Sequence, residues 1–308
     1  WSGDENINLQ NLSARNPEPL INKVREIIVA PPGKCLVIAD ASQIEARVLA
    51  WEAGQMDLCE RFARGEEIYA LFASQVLGWP VRKPRKSDPP PVYKKHLWGR
   101  NAVGKTGVLG CGYGMGPSKV MDYTKGQVDA VMAERIVDTY RHENDKIVTY
   151  WTDIENAFAI SVKYAKEECV GHLRIFPEPG FPHITVIGLP CGRWLRYYYP
   201  KVKGIGYNRT ITVFNPKFRT WGHIWGGHLT ENVIQAMSRD ILAEAILEME
   251  DRGWHQALTV HDELIGVVSS EDGEKSLADA IACLSASPDW APDCPLAAEG
   301  SIAQRYGK

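Results

Sequence analysis

Residues 99–106 read GRNAVGKT, a literal Gly-x4-Gly-Lys-Thr, and the ten residues ahead of them decide which folds are open to the chain. A phosphate-cradling loop of that spelling needs a buried strand running into its first glycine and a helix opening at the Gly-Lys-Thr. Residues 89–98 are PPPVYKKHLW, and three prolines with two lysines rule out a central strand. The companion apolar strand ending in Asp is poorly served too, since 258–260 reaches Asp262 only through a short run and a His-Asp-Glu turn. The nucleotide-hydrolase loop fails on context.

As a helix, the same stretch is coherent. Asn101, Lys105, Leu109 and Tyr113 recur every four residues and are expected along one helix face, with Arg100 one position off the row. Glycines at 104, 107, 110 and 112 each cost up to about 1 kcal/mol against Ala inside a helix. Such a helix needs tertiary support, or its small residues let a ligand or another backbone approach closely. A lysine and a tyrosine over a glycine-lined surface suit a triphosphate and a base. A small-residue packing helix with a surface lysine is the plainer reading. Between Arg82 and Lys105 eight Lys and Arg residues face the single acid Asp88. That segment reads either as a solvated loop or as a phosphate-binding stripe.

Carboxylates supply the second clue. CLVIAD ends an apolar run at Asp40, and ALTVHDE ends another at Asp262 and Glu263, more than 200 positions later. Each alone reads as a solvated turn residue. Adjacent strands would bring them together, and crowded carboxylates repel unless a cation joins them. Mg²⁺ takes oxygen ligands and is commonly held by one or two carboxylates plus substrate phosphates. With a lysine helix for phosphates in the same chain, the pattern describes phosphoryl or nucleotidyl transfer.

The rest of the chain supplies a frame. Helices are expected after Asp40, over Glu67 to Leu77, twice between 127 and 165, over 228–252 with Gly253 as its cap, and near 271–286. The first of the 127–165 pair would bury Val128, Val131, Met132 and Ile136. Residues 172–214, rich in aromatics, Pro and Gly, read as short antiparallel strands, and the tail after 286 as irregular. The 308 residues suggest two domains or one large mixed unit, with the apolar and charged fractions of a soluble globular protein. Neither a signal peptide nor a run long enough to span a membrane is visible. Seven cysteines without a CxxC pair fit a reducing cytosol, and Cys169 with His172 has no second half for a zinc site.

Three segments together carry a resemblance. ADASQIEARVLA (39–50), RNAVGKTGVLGCGYGMG (100–116) and TVHDEL (259–264) resemble motifs A, B and C of family A DNA polymerases, the group of bacterial DNA polymerase I and many phage replicases. INLQNL (7–12) resembles the segment before motif A, and Gln235 matches a glutamine near the template–primer. The resemblance implies an α+β right hand. Its palm, an antiparallel sheet with flanking helices, would be 1–50 plus 223–308, and its mostly helical fingers 51–222. It also implies two Mg²⁺ ions, or Mn²⁺ in their place, on Asp40, Asp262 and the Ala41 backbone carbonyl, with Glu263 in support. Lys105 would bind the triphosphate and protonate pyrophosphate, beside Gln43, Arg100, Leu109 and Tyr113. Glu45 would be the gate against a ribose 2′-hydroxyl, and Arg47, Tyr113, Gly114, Gln235 and His261 would face primer–template.

Departures accompany it. The family arginine usually stands four residues before the lysine, where this chain has Asn101; Arg100 is one earlier. Leu109 replaces an aromatic, and Tyr69 stands where bacterial members have histidine, features closer to the phage branch. The thumb and the exonuclease domain would precede Trp1, so an upstream polypeptide is an expected partner, with DNA and dNTPs, in the cytoplasm and away from membranes. Two other readings stay open: a nucleoside triphosphatase using 99–106, and a DNA-binding remnant without catalysis.

Overall fold

A computed structural model describes residues 23–204 and 206–307, and INLQNL (7–12) lies outside the described residues. The described chain divides into two units, the first comprising residues up to Ile44, Ser238–Pro292 and Leu296 onward, the second Glu45–Met237 with Asp293–Pro295.

The apolar run before Asp40 becomes β1 (Lys34–Ala41), buried along most of its length. It lies in a four-stranded antiparallel sheet of order β10-β1-β9-β8, with β8 Gln256–Val260, β9 Glu263–Ser269 and β10 Ala298–Ala303. Strands buried on both faces lose the polar alternation of half-exposed ones, which is why CLVIA and LIGVV read as continuous apolar runs. Leu36, Ile38, Val260, Ile265, Ala30 and Tyr306 form one core cluster. Helix α10 (Gly273–Ser285) packs on β1 and β10. β10 corrects the expectation of an irregular tail. AEGSIA has little strand propensity. It pairs because β1 offers it a full ladder, from Leu36↔Ala303 to Ala41↔Ala298. Gly300 fits there because a Cβ would meet the Ile38 carbonyl oxygen at 2.5 Å.

The second unit is helical, then β. Its helices are α1 (Ile44–Glu52), α2 (Met56–Ala63), α3 (Ile68–Leu77), α4 (Pro90–Trp98), α5 (Thr106–Cys111), α6 (Pro117–Tyr123), α7 (Ala130–Glu143) and α8 (Asp145–Tyr164). Ile147, Trp151, Ile154 and Phe158 of α8 are buried as their spacing requires. In α7 the apolar face takes Ala133, Ile136, Val137 and Tyr140, and Val131 points to solvent, against expectation, because the face is carried by the later turns. Six antiparallel strands follow in sequence order: β2 (Glu168–Val170), β3 (Leu173–Glu178), β4 (Phe181–Gly188), β5 (Trp194–Lys203), β6 (Thr210–Asn215) and β7 (Thr220–Ile224). Helix α9 (Gly226–Asp251) contains the division at 237/238, and Gly253 follows it at φ +81°.

The stretch before Gly99 is the helix α4, with prolines in its first turn where missing amides cost nothing. Residues Gly99–Lys105 then form a π-helical segment leading into α5. The expected continuous row is therefore corrected. The Thr106 amide reaches back five residues to the Asn101 carbonyl, and its hydroxyl bonds the same oxygen at 3.2 Å. Tyr113 lies past the end of α5, in a turn closed by Gly114 at φ +76°.

Candidate active site

In the first unit, strand register assembles the acids. β1 and β9 place Asp40 opposite Glu263, and the Ala41 amide donates to the Asp262 carbonyl at 3.0 Å. The hairpin tip is only His261 and Asp262, which His261 closes at φ 55°. Directly opposed carboxylates share one sheet face with Cβ atoms about 5 Å apart. Their repulsion needs an answer, and the structure gives two different environments. Glu263 is buried, its Oε2 accepting the Tyr306 hydroxyl with the Arg25 guanidinium at 3.9 Å. Arg25 Nη1 donates to the Tyr306 oxygen at 2.9 Å. The Tyr306 phenol is pushed up by burial, then by its hydrogen bond to Glu263 and that group's charge.

Asp40 and Asp262 are half-buried, and His261 is exposed. An all-oxygen donor set of two accessible carboxylates beside an anchored third fits a hard dication completed by phosphate and water. No ready-made cluster of three or more His, Cys, Asp or Glu ligands occurs among the described residues. Gln43, also in this unit, sits at φ 55° with its buried Oε1 lacking a hydrogen-bond partner among the described residues.

In the second unit, the π segment decides where the basic side chains go. Its wider turn takes up one more residue than an α-turn, which brings Arg100, five before Lys105, round toward the face usually held by the position four before. The guanidinium of Arg100 rests on Glu67, with Nη2 at 2.7 Å and Nε at 3.1 Å from Oε1. It also donates to Asn101 Oδ1 at 3.1 Å and lies 5.2 Å from the ring centre of buried Tyr69. Glu67 is the N-cap of α3, its other oxygen accepting the Ala70 amide at 2.9 Å. Lys105 at the end of this segment and Leu109 on α5 are half-buried. Farther back, Arg82 is locked in a bidentate pair with Asp88, at 2.7 and 2.8 Å, so the basic stripe is partly a loop clasp.

Motifs A and B meet where Tyr113 donates to Glu45 Oε2 at 2.7 Å. The phenol is pushed well above its ordinary value by burial, then by the neighbouring Glu45 charge. Gly114 faces Trp225, whose ring a Cβ would meet at 2.3 Å. Arg47 is buried, donates to the carbonyls of Phe62 and Pro295, and lies 4.6 Å from the Phe62 ring centre, so it clamps this unit from inside. Gln235 is exposed and reaches Glu231 at 3.4 Å. The Glu52 carboxylate is buried and takes Tyr150 at 2.9 Å and His172 Nδ1 at 2.9 Å, which gives His172 a structural post rather than a metal.

Sequence reasoning did not single out Glu67, Arg25 or Tyr306. The pairing of Arg25 with Tyr306 spans 281 positions, a distance that leaves no local signature.

The model of DNA polymerase family A matches residues 3–180, more than half of the sequence. The chain belongs to DNA polymerase family A. It is 30% identical to the DNA polymerase of Bacillus phage SP02 across 97% of its own length and 45% of that protein's. It is 38% identical over 110 residues to DNA polymerase I of Chloroflexus aurantiacus, covering 36% of this chain and 10% of that one. Among solved structures it resembles the POL domain of Pol1 from M. smegmatis in complex with DNA primer-template and dNTP. The TM-score is 0.63 at 20% identity, over 97% of this chain and 44% of that one. The α+β polymerase-domain fold follows from that likeness, and this family A chain spans less than half the length of the phage relative.

Proposed function

We propose that the chain carries the nucleotidyl-transfer centre of a template-directed DNA polymerase serving phage replication, in which a primer 3′-hydroxyl attacks the α-phosphate of a dNTP and pyrophosphate leaves. The observation that carries this reading is the register that sets Asp40 opposite Glu263 and ties Ala41 to Asp262, in a chain whose other unit presents Lys105 on a glycine-bearing helix. Asp40, Asp262 and the Ala41 carbonyl would hold two Mg²⁺ ions, or Mn²⁺, which supply charge stabilisation at the attacking and leaving oxygens. Family A polymerases generally use divalent metals.

The chain's own residues do the rest. Lys105 binds the triphosphate and gives a proton to departing pyrophosphate, and Arg100 and Gln43 also serve dNTP binding. Glu45, oriented by Tyr113, stands against a 2′-hydroxyl, while Leu109 and Tyr113 line the nascent pair. Gly114, Gln235 and His261 face primer–template. Glu263, held by Arg25 and Tyr306, fixes the position of its neighbour Asp262. In this reading 1–50 and 223–308 are palm, 51–222 fingers, and an upstream polypeptide supplies thumb and exonuclease. The setting is the host cytoplasm; no helix among the described residues is long and apolar enough to cross a membrane.

Single-nucleotide incorporation on a primer–template with Mg²⁺ and dNTPs tests this, run with and without the upstream polypeptide. Template-matched extension is expected, abolished by Asp262→Ala and reduced at least about a hundredfold by Lys105→Ala. DNA-independent ATP hydrolysis that survives Asp262→Ala would instead favour the phosphate-loop reading of GRNAVGKT.

A further inference from the structure

The six-stranded sheet of the second unit has a face that the polymerase reading leaves unused. Between Glu178 and Glu231 the chain contains no Asp or Glu at all, yet it carries seven Lys and Arg residues and ten of the chain's 29 Phe, Trp and Tyr. In a protein of net charge −3 this is a concentrated basic, aromatic module.

Strand register sorts the side chains by face. Ile175, Ile187, Tyr197 and Ile211 are buried, with Tyr197 edge-on to Phe158 of α8 at 5.1 Å. On the opposite face β5 presents Trp194, Arg196 and Tyr198, with buried Val186 and Ile184 paired to the last two. Phe214 stands opposite both Tyr198 and Trp221, and Thr212 opposite both Lys201 and His223. Trp194 is 38% exposed and Trp221 48%, with the Arg196 guanidinium 5.5 Å from the first ring and Lys201 Nζ 3.9 Å from the second. The bulge after Tyr198 turns Tyr199 outward at φ 48°, where it is 48% exposed and stacks on His183 at 4.8 Å. Arg196 is balanced by Glu178, but Lys201, Lys203, Lys217 and Arg219 have no carboxylate partner among the described residues.

Rings half open to water beside uncompensated cations on one rigid sheet are the two components of a single-strand platform. The cations track the backbone phosphates, and the rings stack on bases that have no pairing partner. A duplex would use the charge and leave the rings idle; an acidic protein would do the same. We propose that this sheet face binds single-stranded DNA.

The test measures fluorescence anisotropy of the full chain with a labelled oligo-dT of about 16 nucleotides and, separately, with a blunt duplex. Trp194→Ala and Trp221→Ala are each expected to weaken oligo-dT binding about tenfold and duplex binding less than about twofold, with Trp221→Phe restoring most of the loss. Lys201→Gln is expected to reduce the salt dependence by less than one released ion, about 0.7 in slope. Oligo-dT affinity unchanged in the alanine variants, parallel losses on duplex, or no oligo-dT binding by the parent would each overturn the proposal. Incorporation on a template with one unpaired base separates the two readings. If it persists in Trp221→Ala while oligo-dT binding never depended on the face, the platform falls and the polymerase stands. If oligo-dT binding depends on the face but the parent extends no primer, the platform stands and the polymerase falls.

Discussion

Tyr306 performs two tasks with one oxygen, accepting from Arg25 and donating to Glu263. Tyr306→Phe keeps the ring and removes both, leaving a buried carboxylate oxygen short of a donor. Urea denaturation is expected to show a loss of about 1–3 kcal/mol. Incorporation is expected to need more Mg²⁺ for half-maximal rate, a shift that a purely structural role would not produce. At this scale the sequence shows the acids and hides their supports. Asp40, Asp262 and Glu263 were legible because each ends or begins an apolar run that must be a strand. Nothing near Tyr306 announces a carboxylate 43 positions away, and nothing near Arg100 announces Glu67, 33 positions away.

At the scale of elements, the glycines of the motif B helix are explained by what they touch. A Cβ on Gly104 would meet the Tyr69 carbonyl oxygen at 2.0 Å, whereas one on Gly107 would meet a Phe72 ring atom at 2.2 Å. A backbone oxygen in a packed helix cannot move aside as a ring can. Gly104→Ala is therefore expected to cost about 3 kcal/mol and Gly107→Ala clearly less, read by thermal or urea unfolding. The same segment shows how far periodicity reaches. Four-residue spacing located the helix and its lysine, but the π segment, which packs against α3, adds a residue to the turn, so the row drawn through Asn101 and Tyr113 failed. β10 escaped for a related reason: its pairing depends on a strand about 260 positions away, and its own residues carry little preference.

For the molecule as a whole, one titration couples distant parts of the second unit. Glu52 on α1 accepts from His172 between β2 and β3, and that hydrogen bond raises the His172 pKa, more than burial lowers it. A raised pKa contributes stability that is complete below the unfolded value of about 6.5 and fades as pH rises through the folded one. The unfolding free-energy gap between the parent and His172→Asn is expected to be larger at about pH 5.5 than at about pH 9, with salt narrowing it because the imidazole is partly exposed. A gap that widened on raising the pH would contradict the assignment.

The order of the strands also has a meaning in time. β1 lies between β10 and β9, and both neighbours, with the tyrosine that anchors Glu263, come from more than 220 positions later. Apart from Asp293–Pro295, the second unit lies within Glu45–Met237 and can settle as the chain grows, but the sheet that gathers the acids waits for residues up to 306. Every shorter translation product thus lacks the complete four-stranded sheet and the tyrosine that anchors Glu263.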